Sequence, residues 1–567
     1  MGGSRRSGDG PDVSPVSYRV KQRSDARITG SHHLLETGLE KRVLATVASA
    51  TLTGVEGQAI SVEVHVSRGL PSFSIVGLPD AACRESRDRV RAAIISSGLS
   101  WPQHRVTVNL APSGIRKGGS GLDLPVAIAL LVADGQLPAR VAENVGFIGE
   151  LGLDGTLRGV PGVLARAHAL SVAQLVVPPD CAAEAATASA LRAVSAPTLS
   201  RVVVCLQGRG SWDEPVARAA MDSVAAPPDL ADVRGQPLAR MAVEVAAAGS
   251  HHLLMVGPPG AGKTMLAERL VGLLPPLTTT EALEVARVHS AAGLPLPSNA
   301  LPLRPPFRAP HHSSSLVSIV GGGGAAMRPG ELSCAHRGVL FLDELGEFSA
   351  ALLDTLRQPL EERQVRVSRA KATAIFPSDV LLVAAMNPCP CGADSGPGSC
   401  QCSEAVRQRY RARVSGPLLD RFDLRIRLDR PEVADLLRCI AGDRSLGETE
   451  AGVEPTATVA ARVSRARMVA RRRGFPSNSA IPSASLDLAA PLSSGALRVL
   501  EVRLRQGLLS ARGLQRVRRV ALTIADLDGW EGKLRPADVY GALALRSNVL
   551  AAERPFEAGC LSAAWRR

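Results

Sequence analysis

The eight residues Gly257-Pro258-Pro259-Gly260-Ala261-Gly262-Lys263-Thr264 are spaced as a phosphate cradle. Glycines let a chain turn tightly and aim its N–H groups at an anion. Here they follow the apolar run Leu253–Val256 and precede a helix expected to open at Met265. In such a loop the Lys263 ammonium reaches β- and γ-phosphates, and the Thr264 hydroxyl is a ligand for Mg²⁺. Asp343 and Glu344 end a second apolar run, Val339–Leu342. Asp343 suits a hydrated Mg²⁺, whereas Glu344, near the metal but not on it, suits polarising an attacking water. Asn387 closes a third run, Val380 to Ala384, where an amide can orient that water and sense the γ-phosphate. Taken singly, the acidic pair could be a strand-end cap and Asn387 a turn residue before Pro388. Together they are the parts needed to hydrolyse a nucleoside triphosphate.

Two further groups of residues could do chemistry. Cys389, Cys391, Cys400 and Cys402 form two C-x-C pairs across a loop containing Gly392, Gly396, Pro397 and Gly398. Four thiolates would bind Zn²⁺ tetrahedrally, a structural role because no coordination position stays open; reduced thiols are the alternative. Gln364–Lys371 and Ala372–Phe376 read as a β-hairpin carrying Arg366, Arg369 and Lys371, and Gly321–Gly324 as the tip of a second loop. Residues 456–567 hold 19 Lys and Arg against 8 Asp and Glu, either an electrostatic footprint for nucleic acid or a solvated basic face. Within them Arg512, Arg516 and Arg519 share one helical face, opposite Leu514, Val517, Ala521 and Ile524, and Arg471-Arg472-Arg473 form a local run. Aromatic residues are only 3% of the chain, which disfavours base stacking as the main binding mode.

The chain that must position these groups has 567 residues, too many for one core and enough for about two to four domains. With 45% hydrophobic and 21% charged residues it is globular, and its net charge is +13. The longest apolar stretch, Leu124–Ala133, is about half a membrane helix, and the first residues have no apolar run behind them. A soluble, cytoplasmic protein with no membrane partner is expected. Residues 1–43 are polar and aperiodic and read as a disordered tail. Residues 44–207 form an α+β module. In it Ile60, Val62, Val64 and Val66, and again Val106, Val108 and Leu110, alternate as half-buried strands, while Asp80–Ser97 and Leu122–Leu131 suit helices. Residues 208–228, with Pro215, Pro227 and Pro228, are a linker. Residues 229–429 alternate helices with wholly apolar strands, the pattern of a parallel α/β sheet covered on both faces. Residues 430–567 read as helices.

The order of phosphate loop, acidic strand end and strand-end Asn resembles AAA+ ATPases. More narrowly, the chain resembles the ComM/YifB family of magnesium-chelatase-like AAA+ proteins. The resemblance is carried by Asp232-Val233-Arg234-Gly235-Gln236, Phe307-Arg308-Ala309-Pro310-His311-His312, Arg328-Pro329-Gly330-Glu331-Leu332-Ser333, Asn387-Pro388-Cys389-Pro390-Cys391-Gly392 and Ser415-Gly416-Pro417-Leu418-Leu419-Asp420-Arg421-Phe422-Asp423. It covers the chain from about Val43 to the end. It implies a Lon-protease-like (ribosomal S5 domain 2-like) α+β N-terminal domain, an AAA+ P-loop parallel-sheet core and a C-terminal helical lid. It also implies ATP and Mg²⁺ as cofactors and a homo-oligomeric ring, hexameric in this family. The function implied is DNA translocation or branch migration in recombination or natural transformation, with a protein-remodelling ATPase or a magnesium-chelatase-type motor as alternatives.

Residue by residue, the resemblance implies that Val233 to Gln236 border the adenine. Arg421 would be an arginine finger entering a neighbour's ATP site, and Arg512, in Leu-Ser-Ala-Arg, the lid arginine called sensor 2. In related rings the hairpin before the Asn-bearing strand projects into the pore, so Arg369 and Lys371 become contacts for DNA phosphates. Ser120 falls about where the Lon-type serine does, but Leu157–Ala165, which should carry its lysine, has none. Without a base a serine hydroxyl is a poor nucleophile, so a protease fold without protease activity is expected. Lys117 reads as a solvated loop residue, with phosphate pairing the alternative.

Overall fold

The computed structural model describes residues 43–547 apart from 115, 189–190, 215–226, 298–300, 324–326, 370–371, 393–399 and 431–453. The tail read over 1–43 therefore lies outside the described residues up to Arg42, as does most of the expected linker.

The front module starts from a long antiparallel pair, β1 (Val43–Thr53) and β2 (Glu56–Ser67), in register from Val43 opposite Val66 to Thr53 opposite Glu56. Ile60, Val62 and Val64 are buried, with half-exposed residues between them. A slip by one residue would turn this apolar set outward, which is why the register is specified. β3 (Ser72–Val76), β4 (Arg105–Ala111), β5 (Val145–Phe147), β6 (Gln174–Val177) and β7 (Arg192–Ser195) complete a seven-stranded mixed sheet in the order β3-β4-β2-β1-β5-β6-β7. Helix α1 (Ala81–Ser96) begins where the Asp80 carboxylate accepts the Cys83 N–H at 2.8 Å. Helix α2 (Asp123–Ala133) is buried at every residue, as a helix apolar all round must be.

The second sheet is wholly parallel. β8 (Leu253–Val256), β9 (Phe307–Arg308), β10 (Val339–Leu342), β13 (Leu381–Met386) and β14 (Leu424–Arg427) lie in the order β9-β10-β13-β8-β14. Between β10 and β13 the chain forms a separate hairpin, β11 (Gln364–Arg369) and β12 (Ala372–Pro377). Strand periodicity splits the sheet's side chains between two cores. Leu253, Met255, Val339, Phe341, Val383, Ala385, Leu424 and Ile426 enter one; Leu254, Val256, Leu340, Leu342, Leu382, Ala384 and Met386 enter the other. The third apolar strand lies one to two residues later than expected, at Leu381–Met386 rather than Val380 to Ala384, so Asn387 follows it without a gap.

Helices α3 (Val163–His168), α4 (Pro237–Gly249), α5 (Lys263–Leu273), α6 (Thr279–Ala292), α7 (Thr456–Arg472), α8 (Ser494–Arg505), α9 (Ala511–Leu527) and α10 (Pro536–Ala544) complete the parts needed below. The C-terminal helices α7 to α10 share the first of the two sheet cores with α4 and α5. The front module meets the parallel-sheet core through α3 and α6. The Gly162 N–H donates to the Ser290 carbonyl at 2.9 Å, Ser290 Oγ donates to Glu184, and Ala286 is buried in the front module's own cluster. Among the described residues no helix is long and apolar enough to cross a membrane.

Candidate nucleotide site

Gly260 and Gly262 adopt φ +81° and +86°, a left-handed backbone open to glycine, with open space where a Cβ would stand. This turns the chain from β8 into α5, whose first amides, as in any helix, have no carbonyl of a preceding turn to donate to. Lys263 donates to the carbonyls of Gly257 (2.7 Å) and Pro258 (3.0 Å) and to Asn387 Oδ1 (3.0 Å). Residues 124 positions apart thus meet on one ammonium. Burial lowers the Lys263 pKa, opposed by the charges of Asp343 and Glu344. Thr264 Oγ1 donates to Asp343 Oδ2 at 2.8 Å. A hydroxyl and a carboxylate converging in this way are the oxygen donors that Mg²⁺ takes, so the residues fit the ion. When bound, Mg²⁺ would neutralise developing phosphate charge.

Glu344 leaves β10 with φ +51°, an uncommon conformation for a side-chain-bearing residue. Strain of this kind persists where surrounding structure over-determines it. The Glu344 N–H donates to Asp343 Oδ1 at 2.9 Å, while His312 Nδ1 lies 2.9 Å from Glu344 Oε2. His312 is in turn held between the His311 ring, at a centroid distance of 4.1 Å, and the edge of Phe348. His312 lies within the segment Phe307–His312 that carries the family resemblance, and its neighbours along the chain indicate no role for it. The adjacent histidine pair after Pro310 was the available signal, but its target is 32 residues away and visible only in the fold.

Val233 is buried and its carbonyl accepts from Arg240 at 2.9 Å, and Gln236 Nε2 donates to the Asp429 carbonyl at 2.7 Å. Both lie on the P-loop side of the sheet, where β14 ends. Arg421 is elsewhere. The neighbouring Asp423 N–H donates to the His252 carbonyl at 3.1 Å, which puts this segment at the edge where β8 and β14 begin. There the Arg421 guanidinium pairs with Glu361. Arg512 is exposed near the start of α9, one turn before Arg516, which donates to Asp423 Oδ1 at 2.8 Å. Arg421 is therefore not brought to this chain's own phosphate loop.

The basic residues of the C-terminal helices form less of a solvated face than their count suggested. Arg516 and Arg519 do not project with Arg512 as one open row: Arg516 pairs with Asp423, and Arg519 donates to the Ile481 carbonyl at 2.9 Å. Arg462 bridges Glu244 and Glu454, Arg473 pairs with Asp526, and Arg518 pairs with Asp487. Much of the positive surplus is spent inside the fold, where arginine's planar fork matches carboxylates. Around Asp423, the hydrogen bond from His251 and the charge of Arg516 override burial and hold the carboxyl well below the usual range.

On the hairpin, Arg366 and Arg369 are exposed, and Lys371 lies outside the described residues. Arg369 reaches the Gly321–Gly322 segment, where a Cβ on Gly322 would stand 3.5 Å from its Nη2, so hairpin and glycine loop are neighbours; Gly324 lies outside the described residues. The Sγ atoms of Cys389, Cys391, Cys400 and Cys402 all lie within 4.8 Å of one another. Burial, together with the neighbouring thiols, pushes the Cys389 thiol up to about 12.

In the front module Ser120 Oγ donates to Glu150. Lys117 is not in a solvated loop: it is fully buried and its ammonium donates to the Pro112 carbonyl. The extended chain around it is tied to one neighbouring segment, by Asp80 N–H to the Lys117 carbonyl (3.0 Å) and Lys117 N–H to the Leu78 carbonyl (3.3 Å), which draws the side chain inward. Arg166, also buried, lies against Gly119 and Gly121 on either side of Ser120.

A glycine loop between a buried parallel strand and a helix, with an acidic strand end and an amide converging on its lysine and threonine, defines a P-loop nucleotide-binding protein. Family models agree: "Magnesium chelatase, subunit ChlI" matches residues 229–436, "Subunit ChlI of Mg-chelatase" residues 62–180, and "Magnesium chelatase, subunit ChlI C-terminal" residues 453–546. Among similar proteins, one from Mycobacterium tuberculosis is 44% identical over 86% of this chain and 95% of its own length. The protein called YifB in Escherichia coli is 42% identical over 86% of this chain and 94% of its own. The competence protein ComM of Haemophilus influenzae is 41% identical over 87% and 96%. The chain belongs to the ComM/YifB family of magnesium-chelatase-like AAA+ proteins.

Proposed function

We propose that this chain is an ATP hydrolase that assembles into a ring, hexameric as in its family, and works on DNA by translocation or branch migration during recombination or natural transformation. The observation that carries the ATPase reading is the meeting of Lys263 with Asn387 and of Thr264 with Asp343 at hydrogen-bonding distance, with Glu344 next in the chain and paired with His312. In this reading Lys263 and the amides that open α5 bind the phosphates. Thr264 and Asp343 hold Mg²⁺, Glu344 polarises the attacking water, Asn387 orients it, and Val233 and Gln236 border the adenine. Arg421 acts on a neighbouring subunit's nucleotide, and Arg512 is the lid arginine, sensor 2.

DNA as the substrate is supported by the net charge of +13, by exposed Arg366 and Arg369 beside a glycine loop, and by the name of the competence protein among the relatives. Lys371 belongs to the same contact set. The front module is read as a Lon-type fold without protease chemistry, because Ser120 is bonded to a carboxylate rather than to a lysine. A protein-remodelling ATPase is the second reading; a magnesium-chelatase-type motor is the third, supported by the descriptions of the matching family models alone. All three readings put the protein in the cytoplasm.

The test is ATP hydrolysis with and without single-stranded and forked DNA over a range of salt, with Glu344→Gln as the blank. Stimulation by DNA that fades steeply with salt is the expected result, since phosphate contacts release counterions. A rate indifferent to every DNA would refute the DNA reading and leave the alternatives.

A further inference from the structure

The four clustered cysteines lie between two parts of the nucleotide site. Cys389 follows Asn387 by two residues, and Cys400 and Cys402 lead into the helix Glu404–Ala412. The Sγ atoms of Cys389 and Cys391 are 3.2 Å apart, those of Cys391 and Cys400 3.5 Å, and those of Cys389 and Cys400 3.5 Å. A disulfide would need about 2.05 Å, so no pair here is bonded. Four sulfurs, each about 2.3 Å from one zinc ion, stand roughly 3.8 Å from one another at the corners of a tetrahedron. The observed spread, with all four within 4.8 Å, matches one ion; the ligands of an iron–sulfur cluster are divided among two or more irons, and those on different irons stand farther apart. The four residues come from two C-x-C pairs nine residues apart at their nearest members, so it is the fold that gathers them.

The loop they occupy also touches the phosphate cradle. Gly392, at φ +72°, lies so close to Pro259 that a Cβ would stand 2.8 Å from Pro259 Cγ and 3.1 Å from its Cδ, and 4.0 Å from Asn387 Nδ2. Behind it Tyr410, in the helix that follows the second cysteine pair, is buried with its ring under Gly346, two residues beyond Glu344. A cross-link among the cysteines would therefore fix, at once, the loop after Asn387 and its contact with the P-loop.

We propose that Cys389, Cys391, Cys400 and Cys402 bind one structural zinc ion that clamps the Asn387 loop against Pro259 of the P-loop. The metal site stands on the sulfur geometry alone; the clamp rests on the nucleotide-site reading above. Four protein thiolates leave no position for water, so the ion orders the loop and takes no part in hydrolysis.

The test begins with elemental analysis of the purified full-length chain, where about one zinc per chain is expected. Cobalt exchange should give the intense visible bands and thiolate-to-metal transitions of a tetrahedral sulfur site. Cys391→Ser, at an exposed position, and Cys402→Ser should lose the ion, and Cys402→His should retain it. Binding of a fluorescent ATP analogue, measured in a Glu344→Gln background, should weaken about tenfold in the serine variants, the scale expected when binding groups are displaced by a fraction of an ångström. A chain without metal that takes up no cobalt overturns the site. Zinc lost with unchanged analogue binding overturns the clamp. Analogue binding that is absent even with zinc in place would count against the nucleotide reading and leave the metal site established.

Discussion

Arg421 and Lys263 sit at opposite ends of the same sheet, and this separation makes a quantitative prediction. Lys263 follows the end of β8, whereas the Arg421 segment is hydrogen-bonded to His252, just before β8 begins. A four-residue strand spans about 13 Å before either side chain is counted. In the proposed ring, an arginine there would meet a phosphate held by the adjoining subunit. Lys263→Ala and Arg421→Ala should each nearly abolish hydrolysis, since a fixed cation at the transition state is worth ~10³ or more in rate. Mixed in equal amounts and allowed to reassemble, the two variants should complement. Half of the sites lie in chains with an intact Lys263, and half of those face a neighbour with an intact Arg421, so about a quarter of wild-type activity should return in a head-to-tail ring. Phosphate release at fixed total chain concentration, followed across mixing ratios, should peak at equal amounts. A flat profile at the parental level, or an Arg421→Ala chain that hydrolyses ATP at the wild-type rate by itself, would refute the argument.

Three other outcomes follow from the geometry. His312→Ala removes the partner 2.9 Å from Glu344 and should lower kcat while leaving KM nearly unchanged; a matching rise in KM would mean that His312 supports nucleotide binding rather than the base. Asp423→Ala strands His251 and Arg516 in a nearly buried site and should cost about 3–5 kcal/mol by denaturant unfolding, whereas a loss under about 1 kcal/mol would show the pair to be solvated. His252 accepts the Leu382 N–H on Nδ1 at 3.1 Å, and burial pushes its pKa down to about 4. Its folded pKa is below the unfolded value of about 6.5, so its contribution to stability is complete above that pH and is lost as pH falls toward 4. Melting temperature should drop more steeply between pH 7 and 5 in the wild type than in His252→Gln; parallel curves would rule this out.

Which features were legible in advance depends on their range along the chain. The glycine loop and the apolar strands Leu253–Val256 and Val339–Leu342, with the polar residues that follow them, were readable because glycine spacing and strand burial act over a few residues. The same holds for the alternation in β2 and for the all-apolar helix α2. The burial of Lys117 was not readable, because flanking glycines suggest an exposed turn while the hydrogen bonds that draw it inward come from Leu78 and Asp80. The C-terminal arginines misled for a related reason. A charge count cannot distinguish a guanidinium facing water from one paired with a carboxylate 93 residues away, as Arg516 is.

By itself, then, the sequence determined the local chemistry: a loop able to wrap phosphates, two strand-end carboxylates, an amide and four cysteines. The tertiary structure alone decided which of these groups meet. It set Lys263 on Asn387 and His312 on Glu344, gathered the four sulfurs within 4.8 Å of one another, laid Gly392 against Pro259, and put Arg421 at the far edge of the sheet. The physical reason is that parallel strands carry residues distant in sequence to a common edge. Which edge a residue occupies depends on strand order and direction, and these are settled by packing across the whole core.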